Sequence, residues 1–154
     1  MYKRQEFDLE DARQRLVEHH VTNGEHRAVV TIDDAEPIDA TVTLPIDDDA
    51  LAPFLAETEY VKPTDDAVVA AAQSAIGDAD TALGGVEAIC DWVYGYIDGS
   101  MIAETLTGPQ VLERKTGKCT EYTTLYASMA RAVGIPTRIA LGERLVGGQW
   151  MGHM

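Results

Sequence analysis

Cysteine and histidine are the residues of this chain best suited to nucleophilic or metal chemistry, and it has two of the first and four of the second. Cys90 and Cys119 are too far apart for a C-x-x-C pair, which excludes a zinc ribbon and a thioredoxin-type redox motif. Cys119 lies in Thr116-Gly117-Lys118-Cys119-Thr120-Glu121-Tyr122-Thr123-Thr124-Leu125. From Tyr122 onward, Leu125, Tyr126, Met129, Ala130 and Val133 recur at helical spacing, so the cysteine falls at a helix start. There the unpaired backbone N–H groups and the helix dipole favour a thiolate, and the same N–H groups can hold the oxyanion of a tetrahedral intermediate. Lys118 favours the thiolate as well, and Glu121, as an exposed first-turn charge, opposes it. A thiol nucleophile needs a base within hydrogen-bond reach. His19 and His20 are adjacent and point to opposite faces of a strand, and His26 lies near a turn, so this trio is not read as a metal site. His153 ends the segment that follows the Cys119 helix, and is the histidine the connectivity returns to that helix mouth. Taken alone, a cysteine and a histidine 34 residues apart define no enzyme.

The surrounding elements follow from pattern and punctuation. Asn23-Gly24 between the segments 15–21 and 27–32 predicts a hairpin with a type I′ turn, in competition with a helix over 6–20 carrying Leu9, Leu16 and Val17 on one side. Ile38, Ala40, Val42 and Leu44 alternate with Asp39, Thr41 and Thr43, a half-buried strand that Pro45 and the Asp47–Asp49 run would end. Residues 53–62 read as a linker or irregular stretch. Pro63-Thr64-Asp65-Asp66 opens a helix over 66–76 that stops at Gly77. A second helix over 85–97 carries Val86, Ile89, Cys90, Val93 and Ile97 as a buried stripe, which makes Cys90 a small core hydrophobe. A loop holding Gly99, Gly108 and Pro109 leads to the Cys119 helix, which Gly134 and Pro136 terminate. Ile139, Leu141 and Leu145 then alternate as a strand, and Gly147-Gly148 turns the chain into a second strand bearing His153.

Composition bounds the partners. Twenty-six acidic against 12 basic side chains give a formal charge of −14, with lysine only at 3, 62, 115 and 118. Such a surface repels phosphate backbones, so no nucleic-acid partner is expected. Its acidity reads either as a solvated face or as adaptation to high salt. No apolar run approaches the length that spans a bilayer, and the first residues show no secretory signal, so a cytoplasmic location and a reduced cysteine pair are the defaults. No cofactor is implied, and no D-x-D-x-D-G calcium loop is present.

The linked motifs Gly117-Lys118-Cys119-Thr120-Glu121, Ala130-Arg131-Ala132-Val133-Gly134-Ile135-Pro136-Thr137-Arg138 and Gly152-His153-Met154, with Asp91-Trp92-Val93 on the preceding helix, resemble the core of the transglutaminase-like superfamily. That family carries a G-x-C-x-[DE] nucleophile turn, an R-A-x-G-I-P-x-R helix exit and a G-H-A-W-type strand. The resemblance covers roughly residues 64–154. It implies an α+β fold, a papain-like core with the nucleophile helix packed on an antiparallel sheet, here preceded by a small β-rich segment. The implied organisation is residues 1–62 as that segment, a substrate-guiding or docking module, and 63–154 as the core. By the same resemblance Cys119 is the nucleophile, His153 the general base and Arg138 a structural anchor at the helix exit. Two departures stand out. The family's aspartate follows the histidine on the next strand, so the core is expected to be incomplete at its C-terminus, and Met154 stands where a small residue is usual. Asp98, Glu104 and Glu143 are conceivable substitutes that spacing does not separate. The expected function is thiol-dependent acyl chemistry on peptide or carboxamide substrates, with a peptide or protein as partner, hydrolysis before amine cross-linking. The alternative is a catalytically incomplete domain that binds peptides. An uncovered sheet edge would in either case let the chain associate.

Overall fold

The computed structural model describes residues 14–33, 39–102 and 104–154. Contacts divide the chain into two compact units, Met1–Ile38 and Asp39–Met154.

In the first unit, β1 (Gln14–Thr22) and β2 (Glu25–Ile32) form the antiparallel hairpin expected around Asn23-Gly24. Both turn residues have positive φ, 52° and 82°, as a type I′ turn requires. Of the competing helix, residues 14–20 are strand and 6–13 lie outside the described residues. His19 and His26 share one face of the ribbon, their Nε2 and Nδ1 atoms 3.1 Å apart, while His20 is 3.5 Å from Glu18.

The second unit begins irregularly. Instead of a strand, residues 39–44 make a turn and a single bridge, Thr43 to Thr81, with Ile38 outside the described residues. The cause is local: the Asp39 carboxylate accepts from the Thr41 hydroxyl at 2.6 Å and the Thr41 N–H at 2.9 Å, folding the backbone into an Asx turn. Those bonds also hold Asp39 below the usual carboxylate range. After a 3-10 turn at Ala52–Phe54, the stretch through residue 62 is irregular but packed. Val61 is buried, the Lys62 N–H donates to Ser128 Oγ at 3.0 Å, and the Gly108 N–H donates to the Tyr60 carbonyl at 3.0 Å.

Four helices follow. α1 (Asp66–Ile76) has the predicted bounds, with the Asp65 carboxylate accepting from the N–H groups of Ala67 and Val68 and Gly77 closing it. α2 (Ala82–Tyr96) starts earlier than predicted because Thr81 Oγ1 accepts from the Gly84 N–H and caps it. Ile89 and Val93 of α2, and Ile97 just past it, are buried as expected, but Cys90 is exposed. One residue on from Ile89 it is turned about 100° around the helix, onto the flank of the stripe rather than its centre. β3 (Asp98–Gly99) pairs in parallel with β4 (Thr116–Gly117). Between them stands α3 (Gly108–Arg114), where the sequence reading placed a loop. Its signal is Thr107-x-x-Gln110: the Gln110 Oε1 accepts from the Thr107 N–H at 2.9 Å, and Pro109 is tolerated in the first turn.

α4 (Cys119–Ala132) is the central helix and packs against α1, α2 and α3. Its Leu125, Met129 and Ala130 join Val68, Ile89 and Val111 in one buried cluster. Gly134, at φ 79°, ends it, and a Cβ there would stand 2.5 Å from the Pro45 side chain. β5 (Gly142–Val146) and β6 (Gln149–His153) complete the chain as an antiparallel ribbon, so residues 139–141 precede the strand predicted to contain them.

The anchor at the helix exit is Arg131 and not Arg138, which is exposed. Arg131 Nε and Nη2 donate to the Thr137 carbonyl at 3.2 and 2.7 Å, and Nη1 donates to the Ala56 carbonyl. The guanidinium thus ties the end of α4 to both flanking irregular segments, and its partial burial lowers its pKa. An ammonium cannot make this fork, so Arg131→Lys is expected to cost about 2 kcal/mol in urea unfolding, with Arg138→Lys near neutral.

Candidate functional site

Cys119 is the first residue of α4, so its own N–H and those of Thr120 and Glu121 have no partner within the helix. The thiol is free and partly exposed. What fixes the helix start is the segment before it. β4 is held by β3, with the Asp98 N–H donating to the Lys115 carbonyl at 2.8 Å and the Ser100 N–H to the Gly117 carbonyl at 2.9 Å. The Tyr122 hydroxyl donates to the Ile97 carbonyl at 2.8 Å, and Lys118 Nζ to the Ile102 carbonyl at 3.3 Å. These bonds deliver the chain to Cys119 from one fixed direction.

Glu121 was expected as an exposed charge opposing the thiolate. It is instead fully buried. Its Oε2 accepts from the Lys118 N–H at 3.1 Å and its Oε1 from the Leu106 N–H at 3.4 Å. One carboxylate therefore satisfies the N-cap of α4 and ties down the connection to α3. A buried acid needs such partners, because a desolvated charge left alone is costly. Gly117 lies directly over this side chain: a Cβ at 117 would stand 2.2 Å from Glu121 Cβ. The glycine of the motif is thus required by close approach, and the acid by the donors beneath it. The advance signs were its place in the G-x-C-x-[DE] pattern and the i to i+3 spacing of a capping acid behind residue 118.

His153 is the last residue of β6 and pairs with Gly142 of β5. Cys119, Thr120, Leu141, Gly142, Gly152, His153 and Met154 line one open cavity of about 260 Å³. The two residues singled out from sequence therefore meet at the same cavity. Of the three acids considered as orienting partners, none lines it. Glu104 is ion-paired to Arg114, and Glu143 pairs with Gly152, which puts its side chain on the ribbon face opposite His153. Asp98 is exposed on β3. Cys90 is elsewhere, on α2 beside Tyr126, whose hydroxyl is pushed up by burial and, second, by the neighbouring thiol.

Two substitutions test this arrangement. Gly117→Ala should lower stability by about 3 kcal/mol, since the methyl has to displace either β4 or Glu121. Glu121→Gln presents an amide N–H₂ to one of two backbone donors and should cost about 2 kcal/mol in chemical denaturation. A near-neutral result for either would contradict the packing described.

Comparison with curated proteins gives no match. Among solved structures, a crystal structure of "a putative cysteine protease from Cytophaga hutchinsonii" superposes with a TM-score of 0.62 at 18% identity, covering 94% of this chain and 67% of that one. At that identity the likeness is one of fold, a papain-like, transglutaminase-like arrangement of helices and strands. The model of the transglutaminase-like superfamily matches residues 69–154, more than half of the sequence, and takes in the Cys119 helix, its exit and the His153 strand. The chain belongs to the transglutaminase-like superfamily.

Proposed function

We propose that this protein carries out thiol-dependent acyl chemistry on peptide or carboxamide substrates, with Cys119 as nucleophile and His153 as general base. The observation that carries the reading is the cavity shared by the first residue of α4 and the last residue of β6. Sγ attacks the carbonyl carbon, and the oxyanion is met by the free N–H groups at the helix start. The C–N bond then breaks, the amine leaves with the proton that the imidazole took from the thiol, and a thioester remains. Water, activated by the same imidazole, releases the acid and restores the thiol. Hydrolysis is our preferred outcome over amine transfer: the sequence carries no D-x-D-x-D-G calcium loop, and the similar fold from Cytophaga hutchinsonii bears the name "putative cysteine protease".

A second reading is peptide binding without turnover. It is favoured by the lining of the cavity, which among the described residues includes no Asp or Glu side chain to fix the imidazole tautomer. The two readings part at deacylation. A p-nitrophenyl ester should acylate Cys119, read by intact mass, and His153→Ala should slow that step by about 100-fold. Loss of the adduct over time supports the hydrolase; an adduct that persists supports the binding domain. Iodoacetamide near neutral pH should label Cys119 faster than Cys90, although Cys90 is the more exposed thiol. Equal or inverted rates would remove Cys119 as the nucleophile.

A further inference from the structure

A second cavity, of about 280 Å³, adjoins the first and shares Thr120 and Met154 with it. It extends along α4 by one turn, from Thr120 to Thr124, and is lined besides by Thr58, Tyr60, Val61, Thr105 and Ile139. Its lining is aromatic, aliphatic and hydroxyl-bearing, with no side chain charged at neutral pH. In a chain of formal charge −14, this hollow, like the cavity beside it, is lined by no acidic side chain. Its walls are also well supported. Val61 is 1% and Thr124 3% exposed, and the segment carrying Tyr60 and Val61 is bonded to α3 through Gly108 and to α4 through Ser128.

We propose that this cavity is a specificity subsite that receives an uncharged, apolar side chain of the substrate peptide, adjacent to the bond presented to Cys119. The occupant follows from position and lining. A chain held with its carbonyl at Cys119 passes Thr120, and its neighbouring side chain falls beyond that residue into the hollow. Water there occupies about 30 Å³ per molecule, so an apolar group displaces several waters. A charged one would lose its hydration and find no counter-charge. The partly exposed Tyr60 ring provides the aromatic wall of the mouth. The subsite rests on the thiol reading above for its register, but its binding chemistry is independent of the sulfur.

The test uses the full chain and two measurements. Peptidyl chloromethyl ketones carrying Phe, Leu, Asp or Lys next to the reactive carbonyl are compared for their rate of Cys119 alkylation, with iodoacetamide as the undirected reference. The Phe and Leu reagents should react about 10- to 100-fold faster than the Asp and Lys reagents. Thr105→Arg should narrow the gap between Leu and Asp reagents by placing a cation at the rim. Equal rates for all four, with iodoacetamide still preferring Cys119 over Cys90, would overturn the subsite and leave the nucleophile intact. Separately, Cys119→Ala protein is titrated with N-acetyl-phenylalanine amide and N-acetyl-aspartate amide by NMR. Shifts at Thr105, Thr124 and Ile139 with the first compound only support the subsite even if Cys119 proves unreactive. Absence of shifts at these residues with either compound overturns it.

Discussion

The buried carboxylate of Glu121 is the constraint around which the site is built. It collects two backbone N–H groups from different segments, Lys118 at the start of α4 and Leu106 before α3, and it does so under a glycine whose missing side chain makes the room. Remove any of these and the polypeptide has no reason to enter α4 at the same angle. The first turn of that helix is therefore not an exposed N-terminus decorated with charge. It is a turn fastened from inside, with Cys119 on its outer lip. Burial of an acid is costly in itself, and here two donors and a close-packed glycine offset the cost.

From that point the rest of the second unit can be understood as support. α4 runs through the apolar cluster with α1, α2 and α3 around it. Its far end is gripped by Arg131, which reaches carbonyls in the segments before α1 and after α4. The helix is thus fixed at both ends by polar side chains and along its length by Leu125, Met129 and Ala130. β3 and β4 are only two residues each, yet their pairing connects the exit of α2 to the approach to Cys119. Trp92 and Tyr96 stack at 4.3 Å, and the Tyr96 hydroxyl donates to the Leu112 carbonyl, which joins α2 to α3 on the other side.

Much of this was legible in the residues. The Asn-Gly hairpin, the bounds of α1, the start of α4 at Cys119, its stop at Gly134 and the return of the final ribbon all follow from turn chemistry and helical spacing. What escaped did so for identifiable reasons. The alternating run before Pro45 has the period of a strand, but a single aspartate bonded to the threonine two residues on redirects it. α3 is short and begins with Gly-Pro, which read as loop punctuation until the Thr107–Gln110 pair is recognised as a cap. Cys90 has a helical stripe's spacing but stands at its margin, where period alone does not separate buried from exposed. Glu121 was misjudged because spacing reports that an acid is near a helix start and is silent on whether the chain folds over it. Arg131 and Arg138 belong to the same motif, and only the carbonyls around them decide which one anchors.

The two halves of the cavity are mounted on supports of unequal stiffness. The sulfur belongs to a helix packed along its length in the apolar cluster, so displacing it disturbs that interior. The imidazole sits at the base of a two-stranded ribbon, in the Gly142–His153 pair farthest from the Gly147-Gly148 turn, and the described side chains of that ribbon are exposed, so it opens locally at lower energy than the packed helix. The juxtaposition of the two groups accordingly depends on the ribbon's base keeping its place beside the start of α4, and a ligand that contacts both would favour that placement.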